Sequence, residues 1–178
     1  NDAINNVGVG YQSLSALILG DNNTAVGHRS LLDLEDGLNN VGIGSSAGRS
    51  ITDGENNVAI GYQSLDANLT GNLNVAIGVS ALGAFIGNSA VAIGREALRD
   101  LNHASAADGT IAIGTGAGAS LTSGAGNVAI GYQALDADDG GNYSTAVGYQ
   151  ALTDQAGTSG DDAGNTAVGF KAGFDVST

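Results

Sequence analysis

The chain has 178 residues, 30 of them Gly, with 18 acids against five bases and no Pro, Cys or Met. Without Cys there is no disulfide framework, thiolate metal site or cysteine nucleophile. A net charge of −13, with Arg29, Arg49, Arg95, Arg99 and Lys171 scattered along the chain, argues against nucleic acid, whose phosphates need clustered bases.

No apolar run approaches the ~20 residues of a membrane span, and no secretory signal opens the chain, so no membrane insertion is expected within it. The absence of Met at position 1 points to a processed product or a piece of something longer. Gly makes up about 17% of the residues against a usual ~7%, yet no collagen-like triplet runs through them.

From the N-terminus, Val7-Gly8-Val9-Gly10 opens a motif whose last Gly returns at Gly27, Gly44, Gly61, Gly78, Gly94, Gly114, Gly131, Gly148 and Gly169. The spacings are 17, 17, 17, 17, 16, 20, 17, 17 and 21 residues. One short unit stacked on copies of itself is the only economical reading, and 1–178 forms a single repeat domain. With the motif Gly taken as position zero, the residues before it alternate between large and small, as in Val58-Ala59-Ile60-Gly61. Alternation of period two predicts a strand. Its small column is Gly8, Ala25, Gly42, Ala59, Ala76, Ala92, Ala112, Ala129, Ala146 and Ala167, with no polar residue for water. Another surface is therefore expected against that column, covering the strand on both faces.

After the Gly comes a mostly polar pair, then Ser or Ala, then Leu14, Leu31, Leu65, Leu82, Leu98, Leu135 or Leu152. Gly48, Gly118 and Gly173 replace that Leu in three units, which predicts a second coil type in which a Gly turn re-aims the chain and Ile51, Leu121 or Val176 fills the core. Ten residues past zero stands a second Gly (Gly20, Gly37, Gly54, Gly71, Gly124, Gly141), expected to supply positive φ for a tight turn. Asn23, Asn40, Asn57, Asn74 and Asn127 then precede the next strand and are expected to stack as a hydrogen-bonded ladder. Strand, turn, short strand and Gly turn make one coil. The fold expected is all-β, a parallel β-solenoid of ten coils of about 17 residues. It rests structurally on Val58, Ile60, Gly61, Leu65, Gly71, Ile77, Ile113 and Ile130.

Few aromatics and much Ala leave a thin roll with little to bury. The Ala/Gly face is therefore expected to meet another chain and pool the core, in an obligate homo-oligomer. The acids lie mainly in turns, as a solvated, self-repelling surface.

Chemistry is sparse. Gly114-Thr115-Gly116-Ala117-Gly118-Ala119 fits a relaxed dinucleotide fingerprint, but a turn follows it where a phosphate-binding helix is required. Asp136-Ala137-Asp138-Asp139-Gly140 has the start of a calcium loop without its later Glu, so a solvated loop is favoured over a cation site. His28 stands in the column of Tyr11, Tyr62, Tyr132 and Tyr149 and reads as a surface substitution. No nucleophile elbow or placed carboxylate pair supports an enzyme, and no cofactor is expected. Extra residues in the 20- and 21-residue steps form loops at 102–109 and 155–164. Loops on a rigid scaffold often carry recognition, so Asn102, His103, Asp108, Gln155, Asp161 and Asp162 are the expected receptor contacts.

The repeated Asn-x-Ala-Val/Ile-Gly-Tyr-Gln-Ala/Ser-Leu, clearest at 127–135 and 144–152, resembles two related families. One is the repetitive shaft of phage tail fibres associated with endosialidase-type intramolecular chaperones; the other is the head of trimeric autotransporter adhesins. The resemblance runs from Asn5 to Gly173. It implies a homotrimer of left-handed β-rolls in an extracellular, virion-borne or bacterial surface fibre, with a host glycan or protein as receptor. The function expected is a rigid trimeric spacer that displays a receptor-binding surface. The alternative is a virion-associated glycan-cleaving enzyme with its site between chains. The 17-residue period is longer than the adhesin-head repeat, so the exposed loops are expected to differ.

Overall fold

The computed structural model describes residues 3–101, 109–136, 141–155 and 164–176. Its strands are β1 (Val7–Val9), β2 (Thr24–Val26), β3 (Val41–Ile43), β4 (Val58–Ile60), β5 (Val75–Ile77), β6 (Val91–Ile93), β7 (Ile111–Ile113), β8 (Val128–Ile130), β9 (Thr145–Val147), β10 (Asp154–Gln155), β11 (Thr166–Val168) and β12 (Asp175–Val176). Nine of the three-residue strands and β11 form one ten-stranded parallel sheet in chain order, while β10 and β12 pair separately. The register repeats the sequence motif: Val58 pairs with Val75, Ala59 with Ala76 and Ile60 with Ile77. The fold is an all-β parallel solenoid, with no helix among the described residues.

Three-residue strands are too short to stand alone, and the rest of each coil carries the ladder onward. The Leu31 N–H donates to the Ala47 carbonyl and the Asp33 N–H to Arg49, both on the next coil, while the Arg29 N–H donates back to Tyr11. The expected second strand of each coil is replaced by this turn path, except where β10 meets β12. Its cause lies in the dihedral angles: the second and fourth residues after the motif Gly both adopt left-handed φ, as at Gln63 (52°) and Leu65 (49°). Two such residues separated by one wind the chain too tightly for a pleated strand.

The core reverses the expected facing. Ala25, Ala59, Ala76, Ala92, Ala112 and Ala146 are completely buried, but inside their own chain, against the fully buried Leu31, Leu65, Leu82, Leu98 and Leu135. The Ala column therefore does not meet another chain. It is small because the strand lies close over the Leu column, and the large Val and Ile of the strands point outward. A second core column holds Leu34, Ile51, Phe85, Leu101 and Leu121. Asn68 stands in that column as its polar member. It is held by the Gly71 N–H donating to its Oδ1 at 2.6 Å and by its own Nδ2 donating to the Gly87 carbonyl at 3.1 Å.

Two Gly readings need correction. Gly48 does not re-aim the chain: its φ of 59° lies beside the 45–54° of the Leu residues in the same column. Gly takes this left-handed φ without strain, and a Cβ there would stand 2.7 Å from Leu31 Cδ2 and 3.0 Å from Ile51 Cδ1, side-chain ends that would have to shift. Of the second Gly in each coil, Gly124 has the expected positive φ (114°), but Gly20, Gly37, Gly54 and Gly71 do not. They are Gly because successive coils touch there, and a Cβ on Gly54 would sit 2.6 Å from the Gly71 carbonyl oxygen. The motif Gly combines both demands. At Gly61, φ is 129° and a Cβ would meet the Gly78 carbonyl oxygen at 2.6 Å.

Candidate functional site

With the core turned inward, the side chains that remain available stand in outward columns. The residue just before each motif Gly forms one, and Val9, Val26, Ile43, Ile113, Ile130 and Val168 in it are exposed. Ile60 and Ile77 in the same column, and Val58 two places earlier, are half-buried and face outward. Nine steps between ten strands at ~4.8 Å give an apolar stripe roughly 43 Å long. Contiguous apolar stripes of this kind are uncommon on soluble monomers and mark interaction surfaces.

Around the corner, past the motif Gly, lies an aromatic column. Tyr132, Tyr149 and Phe170 stack at 5.1 and 5.4 Å between ring centroids, and Tyr11 stacks on His28 at 5.5 Å. His28 thus occupies an exposed place in the Tyr column, as its position in the repeat predicts. The next column is polar and also laddered: Gln150 Nε2 donates to Gln133 Oε1 at 2.9 Å, and Arg29 Nε to Gln12 Oε1 at 2.9 Å.

Ion pairs gather on this second face. Arg49 pairs with Asp66 at 3.2 Å. Arg99 reaches Asp100 at 2.6 Å and Glu96 at 3.4 Å, and Arg95 holds Glu96 at 2.8 Å. Burial pushes the Asp66 carboxyl above its ordinary range, against the opposing pull of Arg49. Burial likewise raises Asp136, opposed first by the Ser120 backbone. Asp100 is lowered, chiefly by the hydrogen bonds from Arg99. A notch of about 150 Å³ opens here, with Thr115, Gly116 and Ala119 among its lining residues and Glu96 on one side and Tyr132 on the other. A shallower depression of about 220 Å³ lies between Gln63, Asp66 and Arg99. Among the described residues, no group of three or more His, Cys, Asp or Glu could hold a metal ion.

The structural positions read from the sequence divide cleanly. Leu65 is core, Gly61 and Gly71 are contacts between coils, and Val58, Ile60, Ile77, Ile113 and Ile130 belong to the outward stripe. Of the expected receptor contacts, Asn102, His103, Asp108, Asp161 and Asp162 lie outside the described residues, as do residues 137–140 of the acidic loop. Gln155 falls in β10, with its backbone in register with Val176. Sequence reasoning missed the notch, although a signal exists. The column holding Gln12, Arg29, Ser46, Gln63, Ser80, Glu96, Gln133, Gln150 and Lys171 contains a single Gly, Gly116.

Among the described residues, no helix is long and apolar enough to cross a membrane. No family model, no curated protein and no solved structure matches the chain.

Proposed function

We propose that this chain is one third of a homotrimeric extracellular fibre segment, a left-handed roll of ten coils that serves as a rigid spacer and displays a receptor-binding surface. The setting is a phage tail fibre or a bacterial surface adhesin, and the segment acts by binding rather than by catalysis. The observation that carries this reading is the outward Val/Ile stripe, continuous along the ten-stranded sheet and left exposed or half-exposed by the chain itself. A stripe only two side chains wide is poorly matched to a broad two-sided sandwich. It suits several chains meeting along a common axis, and the resemblance of the repeats supplies the number three.

Stiffness follows from the ladders, since coil-to-coil backbone hydrogen bonds accompany the sheet beyond its strands. Three copies of any weak site would be presented together, raising avidity without new contacts. The test is the mass of the native chain by light scattering. Three chains per particle is the expected result, and a stable folded monomer would refute the trimer.

A further inference from the structure

We infer that the notch at Gly116 is a subsite for one ring of a neutral sugar within an oligosaccharide. The inference deepens the display reading and rests on it. The notch exists because one rung lacks its outward side chains. Where neighbouring coils place Glu96 and Gln133, this coil has Gly116, and Ala119 is equally short. The wall on one side is Tyr132. Tyr149 covers one face of that ring at 5.1 Å and 15°, so the other face looks along the column toward Thr115, which has no ring to cover it. An uncovered aromatic face at the side of a ring-sized hollow suits a flat ligand with one C–H-rich face.

The polar groups select among such ligands. Arg95 and Arg99 line the notch, but Glu96 holds both, and Asp100 holds Arg99 as well. An anion would have to displace those carboxylates and would meet Asp136, whose burial already disfavours its own charge. A long apolar side chain would take water from Glu96, Asp136 and the Gln133 amide, which pair within the chain but keep hydrogen-bonding capacity at the notch, and would give them nothing in return. A pyranose ring offers hydroxyls to carboxylates, amide and guanidinium at its rim and C–H groups to the tyrosine face. The notch lies on the face past the motif Gly, around the corner from the Val/Ile stripe.

The test screens the native chain against an array of neutral oligosaccharides built from glucose, galactose and N-acetylhexosamines, then titrates the best-retained member. Gly116→Gln fills the notch with the residue that native coils carry in the same left-handed conformation, as at Gln63, Gln133 and Gln150. Tyr132→Ser removes the wall with a residue that the column already accepts at Ser45. At least tenfold weaker binding in both variants, with melting and particle mass unchanged, is the expected result. If Gly116→Gln fails to fold, Tyr132→Ser decides alone. Undiminished binding in the folded variants would overturn the notch while leaving the display reading standing. Retention of no array member by the native chain would also overturn it; particle mass and host attachment judge the display reading separately.

Discussion

The Asn57 side-chain amide donates to Asn40 Oδ1 at 3.1 Å, and the Asn57 backbone N–H donates to the same oxygen at 3.0 Å. The second proton of that amide goes to the Gly71 carbonyl at 2.8 Å, closing the coil on itself. Each Asn thus ties one coil to the last and pins its own turn, all in completely buried surroundings. Asn57→Ala removes the acceptor for both the N–H and Nδ2 of Asn74. Asn74→Ala takes an acceptor only from the Ala90 N–H. Each orphaned buried group costs about 1–3 kcal/mol. Asn57→Ala is therefore expected to be the more destabilising of the two in denaturant melts, and equal midpoints would count against the ladder as an energetic element.

Leu65 is completely buried at a φ of 49°. A left-handed conformation costs a residue with a Cβ about 1–2 kcal/mol, and losing a buried Leu side chain costs about 2–5 kcal/mol. Both Leu65→Ala and Leu65→Gly lose the packing, but only Gly relieves the strain. The usual order is thus expected to invert, with the Gly variant melting at or above the Ala variant. An Ala variant clearly more stable than the Gly variant would show that the left-handed strain is negligible.

Register makes a sharper demand. Deleting Gly61 to Ile77 joins Ile60 to Gly78 and restores a whole motif, so the solenoid is expected to close with one coil fewer and similar melting. Deleting Tyr62 alone moves Asp66 into the buried site of Leu65 and Ser64 into the left-handed place of Gln63. A carboxylate among Leu side chains is costly unless paired. Thermal melts in which the one-residue deletion outlasts the whole-coil deletion would be incompatible with a stacked repeat.

Ile60→Asp, paired with Ile77→Asp, separates the roll from its assembly. These side chains face outward, so the charge does not enter the chain's own core. If the proposed trimer forms along this stripe, the expected result is its loss on gel filtration, with stability falling only as far as assembly contributes to it. Full retention of the trimer would place the interface elsewhere.

Acidity is expected to stabilise. A carboxyl raised by burial, as at Asp66 and Asp136, binds a proton in the folded state before the unfolded state does. Its contribution is fully present below the ordinary carboxylate range and is lost as pH rises through the folded pKa. Asp100 acts oppositely, but its lowered pKa places that loss below the ordinary range. Relief of self-repulsion in a chain of net charge −13 acts in the same direction as the two raised carboxyls. The melting temperature is therefore expected to rise as pH falls from neutral toward the ordinary carboxylate range, and to rise less in the Asp66→Asn, Asp136→Asn double variant. An equal rise in both would assign the effect to overall charge.

The parallel stack, its register and the Asn ladder from Asn23 to Asn74 were legible because they repeat: repeated copies expose a column whose meaning is a contact between neighbours. Asn127 stands between Thr110 and Ser144 in the Asn column, and its tie to Ser144 is to the backbone N–H, not to a second amide side chain. What misled was the assumption that large side chains face inward. Val58 and Ile60 are large and Ala59 is small, yet Ala59 is the buried one, because Leu65 from later in the coil supplies the bulk. Alternation reports that a strand has two faces without saying which is inside. Gly71 shows a related ambiguity, since Gly serves positive φ and close approach alike, and only coordinates separate them. The notch was hidden for the opposite reason: it consists of side chains that are missing at one rung.

The motif Gly residues touch through their backbones, each with the next, from Gly10 to Gly169. Because nothing larger fits between them, the distance from coil to coil is set by peptide geometry rather than by side-chain size. The molecule is therefore a ruler graduated in copies of a short genetic word. Each in-frame duplication would lengthen it by a fixed increment of ~4.8 Å, and unequal recombination between near-identical units would make reach a trait that varies by counting.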